Sequence, residues 1–279
     1  MTDFFEAAMM RGSVRDYADE ALTSGQLGAL EALCVECGRR ANEELRARAE
    51  GTASGSEGGT PERVAISLLT FRDGATRTPG TYGVIRGARH YFAVATDGSD
   101  EAKLAAGCAF ERIVLEATAM GLGTCWLAAT FRGTAFARAA ALAPGMELTA
   151  VSPVGVASGR RHLLERITRS LVRESSRKPF EALFRGEAGA FRRALEAVRR
   201  APSSVNSQPW RAIVAEDGQA VHFYYAGRSN CVMLDMGIAV CHFTLVCAQD
   251  GIEGELGTAP DAPKWDKNAY LCSYFVKQS

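Results

Sequence analysis

The chain predicts an α+β fold built from two tandem half-repeats, each a sheet flanked by helices. Two observations carry that expectation. A hairpin, a long apolar helix and a strand follow one another in the same order twice. The two long helices also match at fixed offsets: Gly107, Ala109, Leu115 and Gly121 stand at 0, 2, 8 and 14, and Gly237, Ala239, Leu245 and Gly251 repeat the spacing. Small residues at fixed places on both helices would permit close approach of like against like, as at a two-fold interface. Ordinary helix packing is the competing explanation of those matches.

The elements follow in order. Residues 22–48 carry a helical period through Leu27, Leu30, Leu33, Cys34 and Leu45. Residues 51–60, rich in Gly, Ser and Thr, read as a flexible loop. Strands are expected at 64–71 and 91–95, joined by a glycine-punctuated connection over 80–88. A strongly apolar helix over 101–120 ends at Gly121-Leu122-Gly123. Residues 148–156 read as a strand, with Pro153 and Gly155 suggesting an edge or a bulge. The remainder repeats the order: a helix over 191–200, paired strands at 211–215 and 220–225, a helix over 234–249 and a closing strand over 269–276. The expected halves are 1–185 and 186–279.

Composition sets limits. With 279 residues and 47% hydrophobic content, the chain has enough apolar material for a large domain or two small ones. Lys plus Arg and Asp plus Glu are 32 each, so charge gives no reason to expect nucleic acid or an anionic membrane as partner. No apolar run approaches the roughly 20 residues that span a bilayer. The acidic start, Met1-Thr2-Asp3-Phe4-Phe5-Glu6, is unlike a secretory signal, and a soluble, cytoplasmic protein is expected. Eight cysteines do not form a disulfide pattern. Cys34 and Cys37 make a C-x-x-C inside a helical period with no second pair or nearby His, so two packed thiols are favoured over a redox pair or half a zinc site. His90, His162, His222 and His242 have no metal-ligand spacing.

Three segments carry chemistry. Two prolines bracket small hydroxyl and amide side chains in Ala201-Pro202-Ser203-Ser204-Val205-Asn206-Ser207-Gln208-Pro209-Trp210. That stiffens a turn while leaving polar atoms for a planar polar ligand. Arg11, Ser13 and Arg15 alternate, which in an extended segment places two guanidinium forks and a hydroxyl on one side, a set suited to a terminal phosphate. In Gly121-Leu122-Gly123-Thr124-Cys125-Trp126-Leu127-Ala128-Ala129, two glycines turn the chain and an apolar stretch then presents backbone amides. Cys125, in that apolar strand, is not placed for an activated thiolate.

Together these segments resemble the nitroreductase family of FMN-dependent oxidoreductases, and the double-length arrangement is similar to the branch called putative TM nitroreductases. The order Arg11–Arg15, Gly121–Ala129 and Ser176-Arg177-Lys178-Pro179 is that of an ordinary family subunit, but the PSSVNSQPW loop is missing from the first half and present in the second. Each half thus looks like half of a site. The resemblance implies that Arg11, Ser13, Arg15 and Arg177 hold the FMN phosphate. It implies that Pro202, Ser203, Ser204 and Asn206 reach the isoalloxazine and ribityl from the second half. Trp126, Leu127, Ala128 and Ala129 would line the flavin, with the amide of Ala128 or Ala129 near N5. It further implies ping-pong hydride transfer from NADH or NADPH to a nitro compound, a quinone or a similar small acceptor, with no catalytic side chain and no metal. A monomer with an internal pseudo-dimer, binding one FMN, is expected. Tyr82, Phe131 and Trp210 are candidates to face substrate. Alternatives within the resemblance are an FMN store without activity, or a member that fragments flavin or removes halide.

Overall fold

A computed structural model of the chain describes residues 2–50, 61–71, 81, 83–128, 131, 133–158 and 176–277. The expected loop over 51–60 lies outside the described residues. The fold is α+β, and the chain divides into two compact units: Met10–His162, and Met1–Met9 with Leu163–Ser279.

In the unit Met10–His162, helix α2 (Ser24–Glu50) opens on a reciprocal cap, in which Thr23 Oγ1 accepts from Gln26 N at 3.1 Å and Gln26 Oε1 accepts from Thr23 N at 2.9 Å. Strands β1 (Val64–Thr70) and β2 (His90–Thr96) form an antiparallel pair. Helix α3 (Asp100–Ala119) starts at the Ser99 cap with Asp100 and Glu101 in its first turn, where the helix dipole favours acids. The short β3 (Gly123–Thr124), helix α4 (Gly133–Ala139) and β4 (Glu147–Gly155) complete the unit, with strand order β1-β2-β4-β3. β2 is buried along its whole length. Tyr17, Ile85, Tyr91, Leu127, Phe136 and Val151 belong to one apolar cluster in this unit.

Of the edge or bulge expected at 148–156, the structure has the bulge and not the edge. β4 lies between β2 and β3, and its bulge is at Thr149, skipped between the Val94–Ala150 and Ala95–Leu148 pairs. Pro153 is tolerated inside the sheet because pairing on the β3 side is interrupted there, between Thr124–Val154 and the Leu127–Val151 bridge. In that gap Cys125 N donates to Ser152 Oγ at 3.1 Å instead.

In the other unit, α5 (Phe180–Leu183) and β5 (Phe184–Arg185) precede a 3-10 turn (Gly189–Phe191) and α6 (Arg192–Arg200). The hairpin β6 (Trp210–Val214) and β7 (Ala220–Tyr225), helix α7 (Val232–Gln249), β8 (Gly254–Gly257) and β9 (Ala269–Val276) follow. The strand order is β5-β6-β7-β9-β8, with β5 parallel to β6 and the rest antiparallel. Without β5, this is the order of the first sheet. The second sheet also carries its bulge on its last strand in sequence, at Leu271, opposite the step from Phe223 to Tyr224.

The two long helices end alike. After α3, Gly121 (φ 78°) and Leu122 donate to Thr118 O at 2.9 Å and Ala117 O at 2.9 Å. After α7, Gly251 (φ 75°) and Ile252 donate to Ala248 O at 3.3 Å and Cys247 O at 2.8 Å. Both are the left-handed glycine stop that satisfies the last helical carbonyls, and both glycines stand at the shared offset.

The units do not divide at 185/186. The short β5 is a ladder partner of β6, so residues 176–185 belong with the second sheet. Helix α1 (Phe4–Met10) contributes its first residues to the same unit, where Phe4 N donates to Gln249 Oε1 at 2.8 Å and Gln249 Nε2 donates to Asp3 Oδ1 at 2.9 Å. One further expectation is corrected: Val232–Gln249 is long and apolar enough to cross a membrane, although 72% of that span is buried inside the protein. It serves as the core helix of its unit. Cys34 and Cys37 are buried free thiols in α2, and burial pushes them up to about 12 and about 11.

Candidate functional site

Residues 11–18 run as an extended ribbon through the unit Met10–His162. Val14 N donates to Thr124 O at 2.8 Å, and Ser13 bridges Thr124. On the ribbon's other pairings, Arg86 N donates to Arg15 O at 2.9 Å and Tyr17 N to Arg86 O at 3.0 Å. The Arg-x-Ser-x-Arg segment and the GLGTCW turn are therefore in direct contact. Gly123 allows it, since a Cβ there would stand 2.7 Å from Val14 Cγ2 and 2.8 Å from Val14 Cβ.

Exposure rises along the ribbon: Arg11 is buried, Ser13 half-buried and Arg15 exposed. All three bear on Cys125. Its thiol is raised by burial, against the opposing pull of Arg15, the Ser13 hydroxyl and Arg11, so it stays protonated.

Arg11 is the chemically distinctive member. Only 3% of it is exposed, yet Nε and Nη1 have no hydrogen-bond partner among the described residues. Glu111 of α3, fully buried, holds Oε1 3.9 Å from Arg11 Nε, close enough for charge pairing but beyond hydrogen-bond length. Glu111 is fixed by Trp126, whose Nε1 donates to Oε2 at 2.6 Å and whose ring meets Phe110 edge-on at 4.5 Å. A buried guanidinium with donors left over fits a bound anion. Thr124 Oγ1, on the same seam, is likewise buried without a partner among the described residues.

Among the backbone amides after the turn, that of Cys125 is committed to Ser152 Oγ and that of Leu127 to Val151 O at 2.9 Å. Ala128 is half-buried, and Ala129 lies outside the described residues.

The loop after α6 belongs to the other unit, and the Ser176–Lys178 segment packs onto it, a correction to its expected place with the first half. Asn206 Nδ2 and Gln208 Nε2 donate to Ser176 O at 3.0 and 3.1 Å, and Lys178 N donates to Gln208 Oε1 at 2.8 Å. Lys178 Nζ donates to Ser207 O at 2.7 Å. Arg177, expected at the phosphate, donates from Nη1 to Ala201 O at 2.7 Å and from Nη2 to Arg200 O at 2.9 Å, capping the C-terminus of α6.

Within the loop, Ser203 Oγ accepts from Gln208 N at 2.9 Å, and Ser204 N donates to Asp235 Oδ1 at 3.0 Å. Pro202, Ser203 and Ser204 are half-buried, whereas Val205 and Asn206 are exposed at the tip. Trp210 is wholly buried at the head of β6, which removes it as a substrate-facing residue. Phe131 is half-buried, its ring 6.0 Å from that of Phe136, and Tyr82 lies outside the described residues.

The profile of the family described as Putative TM nitroreductase matches residues 62–247, two thirds of the chain. The chain belongs to this family. Among solved structures it is similar to a putative nitroreductase from Thermotoga maritima, at 18% identity and a TM-score of 0.56, over 99% of this chain and 94% of that one. That likeness bears on the fold. It is also similar to a putative NADH dehydrogenase/NAD(P)H nitroreductase from Bacteroides thetaiotaomicron (19% identity, TM-score 0.40, 57% of this chain and 89% of that one). An FMN-dependent nitroreductase from Clostridium difficile is another (16% identity, TM-score 0.37, 55% and 87%). No curated protein matches.

Two buried acids that contact the candidate segments, Glu111 beside Arg11 and Asp235 beneath Ser204, were not singled out from the sequence. Asp235 was legible as the lone acid of an apolar helix, a position that calls for a stated partner, whereas Glu111 shares its helix with Asp100, Glu101 and Glu116 and carries no such signal.

Proposed function

We propose that this family member is an FMN-dependent oxidoreductase that takes electrons from NADH or NADPH and reduces a small electron-poor acceptor such as a nitro compound or a quinone. The single observation that carries the reading is Arg11: a buried guanidinium with donors left over, backed by Glu111 and lying in the seam between two motifs. When bound, FMN supplies the two-electron chemistry, accepting hydride from the nicotinamide and passing it to the acceptor.

The side chains have supporting parts in this reading. Arg11 and Ser13 bind the phosphate, with Arg15 at the exposed end. Glu111 orients Arg11 from beneath. Ala128 presents backbone to the isoalloxazine, since the amides of Cys125 and Leu127 are already used. Pro202, Ser203, Ser204 and Asn206 contribute the flavin-contacting loop, and Arg177 braces that loop by capping α6. No protein nucleophile is needed, in keeping with the raised Cys125 thiol.

The test is an anaerobic titration of the protein, reconstituted with FMN, by NADH and by NADPH, followed at the flavin absorbance band. Bleaching by either donor, and recovery on adding a nitroaromatic or a quinone, is the expected result. A protein that takes up no FMN sinks the reading, and bound flavin that neither donor bleaches reduces it to flavin binding.

A further inference from the structure

The loop over 202–209 adopts a backbone its residues resist. Val205, Asn206 and Gln208 have φ of 48°, 55° and 47°, in the left-handed region that L-residues other than Asn and Asp rarely occupy. The β-branched Val205 is the least suited of the three, and its side chain is 96% exposed, so no packing of its own holds the bend. The conformation must be imposed by neighbours.

One restraint is the Ser176–Lys178 segment described above. The other comes from beneath. Asp235, in the first turn of α7, is 4% exposed, with Oδ1 accepting from Ser204 N at 3.0 Å and Oδ2 accepting from Ser207 Oγ at 3.4 Å. Its neighbours Val232, Met233, Leu234 and Met236 are buried and apolar. An apolar residue would fit this helix without the cost of burying a carboxyl group.

The internal repeat supplies a comparison. Gly107 and Gly237 are equivalent, so the counterpart of Asp235 in α3 is Ala105, in the half that lacks the PSSVNSQPW loop. By the same offset the counterpart of Glu111 in α7 is Cys241, in the half that lacks the Arg-x-Ser-x-Arg segment. Each core helix thus carries a buried acid that contacts the motif of its own half, and the other helix has no acid at that place.

We propose that Asp235 is a positioning residue that holds the 202–209 loop, through Ser204 and Ser207, in the shape that receives the flavin. The flavin part rests on the function proposed above; the hold on the loop does not. Burial raises the Asp235 carboxyl to about 7, which marks the position as costly to maintain for packing alone.

The experiment compares the full chain with Asp235→Ala and Asp235→Asn by two readouts. One is amide hydrogen exchange over residues 203–208 in flavin-free protein; the other is FMN affinity from quenching of flavin fluorescence. Asp235→Ala is expected to speed exchange at Ser204 and to weaken FMN binding, each by about tenfold, while unfolding stays cooperative. Asp235→Asn keeps an acceptor for Ser204 N and is expected to restore both to within about threefold. Wild-type exchange and affinity in the Ala variant would overturn the proposal. So would equal loss in Ala and Asn, which would mark a core residue with no specific hold on the loop. A wild type that binds no FMN, with loop exchange still loosened by Ala and restored by Asn, would sink the flavin reading and leave the hold on the loop standing.

Discussion

At the scale of single residues, each unit sets a buried acid against its own candidate segment, Glu111 beside Arg11 in one and Asp235 beneath the 202–209 loop in the other. Arg11 has donors to spare, and a charge-assisted contact to phosphate is worth on the order of 1.5–3 kcal/mol. Arg11→Gln is therefore expected to weaken FMN binding by roughly 10- to 100-fold in a fluorescence titration, and an unchanged affinity would count against the phosphate assignment. Asp235 predicts a pH dependence. Its folded pKa of about 7 lies above the ordinary carboxylate value, so between the two the folded state holds a proton that the unfolded state has released. Stability from this group is full below the unfolded pKa, falls as pH rises to about 7, and is level above that. The difference in Tm between Asp235→Asn and wild type should accordingly grow in favour of Asn from about pH 4 to about pH 7 and stay level above that. Parallel Tm curves across that range would show that Asp235 does not titrate in this way.

At the scale of elements, the close approach of residues 11–15 to the GLGTCW turn depends on Gly123. Gly123→Ala brings a methyl group against the branched side chain of Val14 and is expected to cost about 1–3 kcal/mol. Val14→Ala removes both methyls that the new group would meet and keeps Cβ, so the double variant should lose less than the sum of the single losses, as read from denaturant unfolding. Strict additivity would mean the two do not touch. The long helices and the 220–225 and 269–276 strands were legible because their patterns are long or bounded by clear turns. β3 and β5 have two residues each, too few for any period to register. Pro153 left an edge and a bulge both open for β4; the strand is inner and bulged, and the proline is accommodated where the neighbouring ladder is broken.

At the scale of the whole molecule, the common strand order, the bulge on the last strand and the matching helix stops together make the internal duplication a structural observation. The repeats have since diverged: one keeps the Arg-x-Ser-x-Arg segment and the other the PSSVNSQPW loop. One FMN per chain is the expected stoichiometry, measured from flavin absorbance against protein concentration. Two equivalent flavins per chain would mean that each repeat holds a complete site. The first nine residues and the segment before β5 belong to the second unit, which motif order could not reveal, because order along the chain does not say which sheet edge a short strand joins.

The sequence by itself determined the fold class, the repeat and the segments of the candidate site, because hydrophobic period, glycine stops and dense polar motifs are local signals. The tertiary structure decided which atoms of those segments remain available. It buried Arg11 beside Glu111, gave Arg177 to the end of α6, enclosed Trp210 and set Asp235 beneath a strained loop. Those outcomes depend on burial and on partners distant in sequence. A side chain's type fixes which hydrogen bonds it can make, and only the packed fold fixes which of them are already made.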